Sequence, residues 1–207
     1  MIGFLHAGTA SRDATVDELA HQHRETAVHL VEASLVDPTA REFPINEERY
    51  RAVLACAKQL ATQSGRVILT CSAYNGAAPW LQEDLGIPVE RSDAAGARAL
   101  LQTQGPVGVL LSFPPTLPVV VDYLAEVFAN VEQEREIRTA IADAPPFSTS
   151  PEAYRDALVS ALPSLRGCGV LFVTQYSMHP HVPAIRAAWG DGVIVSAVSA
   201  TIAALPA

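Results

Sequence analysis

Six short runs of Val, Ile and Leu alternate with longer segments of helical periodicity, and this alternation limits the fold more than any other feature. The runs show no regular exchange of apolar and polar side chains, which is typical of strands buried on both faces of a sheet. They cover residues 2–5, 28–31, 67–69, 107–111, 170–173 and 193–195. Strands that alternate with helices predict βαβ units and a mainly parallel sheet.

Three of the intervening segments carry clear helix signals. They are residues 46–62, 117–130 and 150–161. Asn46 and Ser150 are suited to N-cap positions, and proline stands near the start of the second and third segments, where its missing N–H is tolerated. Residues 144–148 contain paired prolines, so an irregular connection is predicted there, with a flap over a site as the alternative.

Three segments of the first half reappear in the second half in the same order. Residues 3–6 resemble 108–111, residues 67–72 resemble 171–176, and residues 86–92 resemble 192–196. The offset is 105 positions for Gly3 and 104 for both Cys71 and Ser92. A nearly constant offset predicts an internal duplication. The predicted fold is therefore α/β, with two pseudosymmetric lobes, each a mainly parallel sheet flanked by helices.

Loops at the carboxyl ends of parallel strands form the usual ligand site of such sheets. Two facing lobes would place these loops across one cleft, which is where we expect the active site. We predict a first lobe over residues 1–97 and a second over 98–190. Residues 191–207 are predicted to form a strand and helix that pack back onto the first lobe.

Charge and composition exclude several functional classes. The 207 residues include 14 Lys and Arg against 22 Asp and Glu, a net charge of −8, and no basic cluster marks a nucleic-acid partner. No apolar stretch approaches the roughly 20 residues of a membrane span, and no signal peptide is expected at the start. Three scattered cysteines indicate a reducing, cytoplasmic location and neither disulfides nor a metal site.

Cys71 is the residue most suited to chemistry. It follows a buried strand within Thr-Cys-Ser-Ala-Tyr-Asn-Gly, where the N–H groups of a following helix would stabilise a thiolate. The alternative is an inert core cysteine, but the polar neighbours Thr70, Ser72, Tyr74 and Asn75 favour function. Cys56 and Cys168 are predicted to be structural.

Hydroxyl groups at the strand ends are suited to a carboxylate ligand. Neutral donors beside helix N-termini hold anions without a basic side chain, although each hydroxyl also fits a helix cap. The candidates are Thr9, Ser72, Thr116, Thr174 and Ser177. His6 and Glu32, at the ends of the first two strands, could orient a substrate or move a proton.

No cofactor is predicted. Glycine-rich nucleotide motifs, a P-loop lysine and a GxSxG elbow are absent. The only lysine, Lys58, lies within a predicted helix and not at a strand end, which argues against a Schiff base. His179 and His181 have a weak metal-like spacing without an acidic or cysteine partner, so no metal site is predicted.

Residues 4–9 (Phe-Leu-His-Ala-Gly-Thr), 69–72 (Leu-Thr-Cys-Ser) and 173–178 (Val-Thr-Gln-Tyr-Ser-Met) resemble the aspartate/glutamate racemase superfamily. The resemblance extends over nearly the whole chain, and the superfamily includes hydantoin racemases, maleate isomerases and arylmalonate decarboxylases. It implies cofactor-independent chemistry between two lobes, with one cysteine from each half. Cys71 matches the first cysteine. Gln175 stands at the second position and cannot exchange protons, which departs from a two-base racemase.

The function expected from this resemblance is an isomerase or racemase that moves a proton alpha to a small carboxylate through Cys71, assisted by Gln175. The residues expected to bind substrate are His6, Thr9, Ser72, Ala73, Tyr74, Thr116, Thr174, Tyr176 and Ser177. Three alternatives stay open: a decarboxylase of a malonate-like acid with Cys71 as proton donor, a non-catalytic carboxylate-binding protein, and thioester hydrolysis with His6 as base. The expected partner is a small carboxylate, with neither nucleic acid nor membrane, and a homo-oligomer is left open.

Overall fold

Two four-stranded parallel sheets form the centre of the structure, a computed structural model that describes residues 1–24, 27–37, 39–144 and 150–206. The strands are β1 (Ile2–His6), β2 (Ala27–Val31), β3 (Val67–Leu69), β4 (Val89–Glu90), β5 (Val107–Leu111), β6 (Ile137–Ile141), β7 (Val170–Val173) and β8 (Val193–Ser196). Their order is β2-β1-β3-β4 in the first sheet and β6-β5-β7-β8 in the second. Strands β5 to β8 thus repeat the order of β1 to β4, which confirms the predicted α/β fold with two pseudosymmetric lobes.

Helices connect the strands and cover the sheets. They are α1 (Thr9–His21), α2 (Glu47–Ala61), α3 (Ala78–Leu85), α4 (Ala94–Leu100), α5 (Leu117–Ala129), α6 (Pro151–Ala161), α7 (Val182–Trp189) and α8 (Ala197–Ala203). The side chain of Asn46 accepts a hydrogen bond from the Arg49 N–H at 2.9 Å, and Ser150 accepts one from the Ala153 N–H at 3.2 Å. Both predicted caps are confirmed. Of the predicted connection 144–148, residues 145–148 lie outside the described residues.

Two of the strands were not predicted. Strand β4 is only two residues long, and β6 lies at the edge of its sheet with a partly exposed Ile-Arg-Thr-Ala-Ile sequence. Neither has the continuous apolar run that marks a central strand.

The C-terminal segment divides between the two lobes. Strand β8 pairs in parallel with β7 and completes the second sheet, whereas both the strand and the helix of residues 191–207 were predicted to pack back onto the first lobe. Helix α8 packs against α1 and α4 of the first half, and β8 also contacts α4. The reason is the duplication, because β8 and α8 repeat the positions of β4 and α4.

One apolar core extends through both halves. It includes Phe4 and Ile68 of the first sheet together with Val109 and Phe172 of the second, all fully buried. Gly96 of α4 lies against the Phe172 ring, and a Cβ there would be 2.6 Å from Phe172 Cζ. Within the described residues, no helix is both long and apolar enough to cross a membrane.

Candidate active site

A cavity of about 410 Å³ lies where the strands of both sheets end. Its walls come from residues 7–11 after β1, 70–72 after β3, Phe113 after β5 and 175–177 after β7, with Val31 and Ala33. Each of the four strand-end loops that the sequence placed at a cleft therefore contributes to one cavity. Cys71 and Gln175 both line it.

The backbone at Cys71 is repeated at Gln175. Thr70 donates its hydroxyl proton to the Leu5 carbonyl and Thr174 does the same to the Leu110 carbonyl, each at 3.0 Å. The next residue has an extended backbone and precedes a six-residue 3₁₀ helix, Ser72–Ala77 or Tyr176–His181. Gln175 thus occupies in the second half the position that Cys71 occupies in the first.

The Cys71 thiol is protonated at neutral pH. Burial raises its pKa to about 11, while a hydrogen bond from the Ala73 N–H and the positive charge of Arg49 act in the opposite direction. The prediction that this loop stabilises a thiolate is therefore wrong for the free protein. One backbone N–H and one cation do not outweigh the loss of water around the sulfur.

Arg49 is the charged residue near Cys71 that sequence reasoning missed. Its Nη1 atom is buried and has no hydrogen-bond partner among the described residues. The guanidinium carbon lies 4.5 Å from the centroid of the Phe43 ring. One signal was available, because Arg49 stands in the first turn of α2, where the helix dipole disfavours a cation.

Gln175 is held by the second half of the chain. Its Oε1 atom accepts hydrogen bonds from the N–H and the hydroxyl of Ser112, each at 2.8 Å. Because a backbone N–H can only donate, this contact identifies Oε1 and leaves the amide NH₂ as the free end. The NH₂ group is 3.5 Å from Thr116 Oγ1. Gln175 can therefore donate a hydrogen bond to a ligand, but it has no proton to exchange at neutral pH.

Tyr154 of α6 extends this network and was not identified as a site residue from the sequence. Its hydroxyl lies 2.7 Å from Ser112 Oγ and 3.2 Å from Ser177 Oγ. Burial raises the pKa of Tyr154, so the phenol stays neutral. The network joins Tyr154 and Ser112 to Gln175 and Ser177, and the last two line the cavity.

The other predicted substrate-binding residues divide into two groups. Thr9, Ser72, Tyr176 and Ser177 line the cavity, whereas His6, Ala73, Tyr74, Thr116 and Thr174 are not among the residues that line it. The Tyr74 hydroxyl donates to the Leu5 carbonyl at 3.0 Å, and the Thr116 hydroxyl donates to the Phe113 carbonyl at 2.8 Å. These side chains support the walls behind the lining residues.

His6 lies behind Thr70. Its Nδ1 atom is 3.0 Å from Thr70 Oγ1, and its Nε2 atom is 3.0 Å from Nδ1 of His29. Burial, followed by the charges of His29 and Arg12, lowers the pKa of His6 to about 3. Both ring nitrogens are engaged and the ring is neutral, so the geometry does not support His6 as the base for thioester chemistry at Cys71.

His179 has a structural role in this arrangement. Its ring nitrogens lie 2.9 Å from Ser196 Oγ and 3.2 Å from Glu18 Oε2. In the first half Asn75 holds Ser92 in the equivalent way, at 2.9 Å. Among the described residues, no group of three or more His, Cys, Asp or Glu side chains is placed to hold a metal ion.

The chain matches no protein-family model and no curated protein sequence, whereas solved structures share its fold. A glutamate racemase from Bacillus anthracis superposes with a TM-score of 0.74 at 17% identity, covering 98% of this chain and 79% of that one. An aspartate racemase from Picrophilus torridus gives 0.70 at 15% identity, covering 98% and 91%. A glycine-to-cysteine variant of arylmalonate decarboxylase gives 0.64 at 16% identity, covering 96% and 88%. The chain therefore has the fold of the aspartate/glutamate racemase superfamily, which confirms the resemblance at the level of the fold.

Proposed function

We propose that this protein is a cofactor-independent enzyme of the isomerase or racemase type that moves a proton alpha to the carboxylate of a small substrate through Cys71. The observation that carries the proposal is the position of Cys71 in the cavity between the halves. Among the described lining residues only Cys71 and Tyr176 can ionise, and the Tyr176 hydroxyl donates to Thr201 at 3.0 Å. Cys71 is therefore the one lining group available for proton transfer.

The start of α1 supplies the carboxylate site. Residues 8–11 line the cavity, and the N–H groups of the first helical turn have no acceptor within the helix. Together with the helix dipole they attract an anion, and the hydroxyls of Thr9 and Ser72 add neutral donors at the same wall. Arg49 adds positive potential near Cys71 without lining the cavity.

The high pKa of Cys71 defines its part in the reaction. With a pKa of about 11 the thiol is rarely ionised at pH 7, but the thiolate that forms is a correspondingly stronger base. It takes the proton next to the carboxylate. Hydrogen bonds from N–H donors that already point at the carboxylate oxygens stabilise the resulting enediolate. The thiol then returns the proton. Because Gln175 supplies no second acid, Cys71 returns the proton on the face from which it was taken. Return to the α-carbon gives exchange with retention, whereas return to the γ-carbon of the conjugated anion of an unsaturated acid moves the double bond and gives an isomer. Racemisation would need a second acid at the position of Gln175.

Decarboxylation is the second candidate, and the protonated state of Cys71 favours it. When a malonate-like acid loses CO₂, the electron pair of the broken carbon–carbon bond stays on the α-carbon. The Cys71 thiol can protonate that carbon, and water then restores the proton to sulfur. A decarboxylase variant is among the proteins that share the fold.

Deuterium exchange tests the proposal directly. The protein is incubated in heavy water with small carboxylic acids, and NMR follows deuterium at the α-carbon and the appearance of isomers or CO₂. We expect incorporation with the native protein, none with Cys71→Ala, and undiminished incorporation with the control Cys168→Ala. A ligand that raises the melting temperature but is recovered without deuterium would support the non-catalytic binding alternative. Equal exchange by Cys71→Ala would exclude the mechanism.

A further inference from the structure

The two halves present unequal walls to the cavity. In the second half, the connection from β5 to α5 contains Pro114 and Pro115, and Pro118 follows in the first turn of α5. None of these residues has an N–H. The connection is also three residues longer than the one between β1 and α1, because it includes the 3₁₀ helix Pro114–Thr116.

Three N–H groups in and next to this connection are already bonded. Ser112 donates to Gln175 at 2.8 Å, Thr116 donates to the Phe113 carbonyl at 3.1 Å, and Leu117 donates to the Pro114 carbonyl. Compared with the start of α1, this connection therefore offers a carboxylate fewer unbonded backbone N–H groups, and the donors that line the second-half wall are the side chains of Gln175 and Ser177.

Phe113 occupies the wall instead. Its side chain lines the cavity and is only 6% exposed. The ring packs against Phe43 of the first half, with centroids 5.3 Å apart and planes at 52°. This contact holds the ring in place, so Phe113 presents an apolar surface to the cavity beside the polar Gln175 and Ser177.

Charged side chains do not compensate for this surface. None of the described residues that line the cavity carries a formal charge at neutral pH. Arg41 belongs to a second cavity that shares Phe113 as a wall and also contains Asp143. A second carboxylate placed at Phe113 would lose its water without gaining an ionic partner from the lining, which is costly.

We infer that the substrate is a monocarboxylate whose carboxylate binds at the start of α1 and whose α-carbon carries an apolar substituent packed against Phe113. This inference rests on the proposed function for the position of the α-carbon at Cys71. It excludes dicarboxylates such as methylsuccinate, whose second carboxylate lies on the substituent that would face Phe113.

A matched pair of acids tests the inference by calorimetry. 2-Methylbutanoate and methylsuccinate share one branched skeleton and differ in a terminal methyl or carboxylate. We expect the monocarboxylate to bind at least about tenfold more tightly, because the dicarboxylate buries an unpaired charge. Tighter binding of methylsuccinate, with loss of that preference in Arg49→Gln, would overturn the inference in favour of a dicarboxylate site. Failure of both acids to bind would also overturn it.

A Phe113→Ala variant tests the wall itself. Its affinity for 2-methylbutanoate should fall by about tenfold because apolar contact area is lost, while its affinity for acetate, which has no such substituent, should not change. Phe128→Ala is the matched control, since Phe128 is equally buried but does not line this cavity. If Phe113→Ala does not fold, the comparison of the two acids on the native protein still decides the question.

Deuterium exchange separates this inference from the proposed function. Native protein should exchange the C2 proton of 2-phenylpropionate, an activated monocarboxylate of the inferred class. Preferential binding of monocarboxylates without any exchange would overturn the proposed function alone. Exchange in methylsuccinate together with tighter binding of that acid would overturn the inferred substrate class alone.

Discussion

The side-chain carbonyl of Gln175 accepts two hydrogen bonds from Ser112, one from the backbone N–H and one from the hydroxyl, each 2.8 Å long. Gln175 stands where the duplicated backbone would present a counterpart of Cys71 to the opposite face of a ligand. The contact turns that position into a fixed hydrogen-bond donor. It leaves the cavity with a thiol, that of Cys71, on one side only.

Replacement of Gln175 by cysteine should therefore create a two-sided site. Native protein is expected to exchange the α-proton of one enantiomer of 2-phenylpropionate with retention of configuration, because Cys71 acts from one face. Gln175→Cys should racemise the same acid, since a second thiol can protonate the opposite face. Chiral chromatography of the recovered acid measures the difference.

A Gln175→Ser variant is the control for that substitution. It removes the acceptor of both Ser112 hydrogen bonds and is expected to cost about 1–3 kcal/mol of stability, as Gln175→Cys also does. It offers no thiol and should not racemise. Racemisation by Gln175→Ser or by native protein would contradict the one-sided mechanism.

Alkylation of Cys71 by iodoacetamide should be slow at pH 7 and should accelerate about tenfold per pH unit toward pH 11, because only the thiolate reacts and burial holds the pKa at about 11. Peptide mass spectrometry resolves Cys71 from Cys56 and Cys168. A labelling rate that reaches a plateau below pH 8 would show a low-pKa thiolate and would contradict the structure.

Arg49→Gln should slow this alkylation further at any given pH. Its positive charge lowers the pKa of Cys71, so its removal raises that pKa and reduces the thiolate fraction. Arg51→Gln is the matched control, because Arg51 lies on the same helix but forms an exposed ion pair with Glu47. Equal rates in the two variants would show that Arg49 does not act on the thiol.

Stability should decrease in mild acid because of His6. The pKa of His6 is lowered from 6.5 to about 3 in the folded protein, so between these values the unfolded chain binds one more proton than the folded chain. The free energy of unfolding therefore falls as the pH drops below about 6.5, by at most about 1.4 kcal/mol per pH unit for this group. Above that pH the contribution is constant.

His6→Leu should remove the contribution of His6 to this acid sensitivity. Leucine is chosen because Leu111 is the last residue of β5, as His6 is of β1. Urea unfolding at pH 7 and pH 5 measures it, with His21→Gln at an exposed histidine as control. An unchanged difference between the two pH values in His6→Leu would show that another group causes the acid sensitivity.

Gly96→Ala should destabilise the protein by about 1–3 kcal/mol through overpacking, although alanine is the better helix former. The new methyl group would meet the Phe172 ring at 2.6 Å from Cζ. Gly65→Ala is the control, because nothing lies within 4 Å of a Cβ at that position. Equal unfolding midpoints in urea would show that the core around Phe172 has room to adjust.

The sequence predicted the elements whose signal is local. Strands such as Val67–Leu69 are buried on both faces and appear as continuous apolar runs, and the Asn46 cap sits directly before its helix. The protonation state of Cys71 could not be predicted in the same way. Its pKa depends on burial by residues far along the chain. Burial raises the pKa by more than the hydrogen bond from the nearby Ala73 N–H lowers it.

The place of Arg49 and the wall at Phe113 depend likewise on tertiary contacts. A cation in the first turn of a helix is unusual, but the sequence does not show what it contacts, and a phenylalanine before two prolines is not a distinctive motif. Only the folded chain places Arg49 against Phe43, and Phe43 in turn against Phe113 of the other half.

The core that Phe4 and Phe172 share has a consequence for the origin of the chain. Either half alone would expose this apolar surface to water, so a half-length ancestor could not have been a stable monomer. Pairing of two identical copies about a twofold axis would have covered it, with α4 of one copy against its equivalent in the other, as α4 and α8 pack here. The packing of α4 against α8 in the present single chain has the arrangement that such a homodimer interface would have. Unlike a homodimer, a single chain can carry two different residues, Cys71 and Gln175, at the two equivalent positions of its cavity.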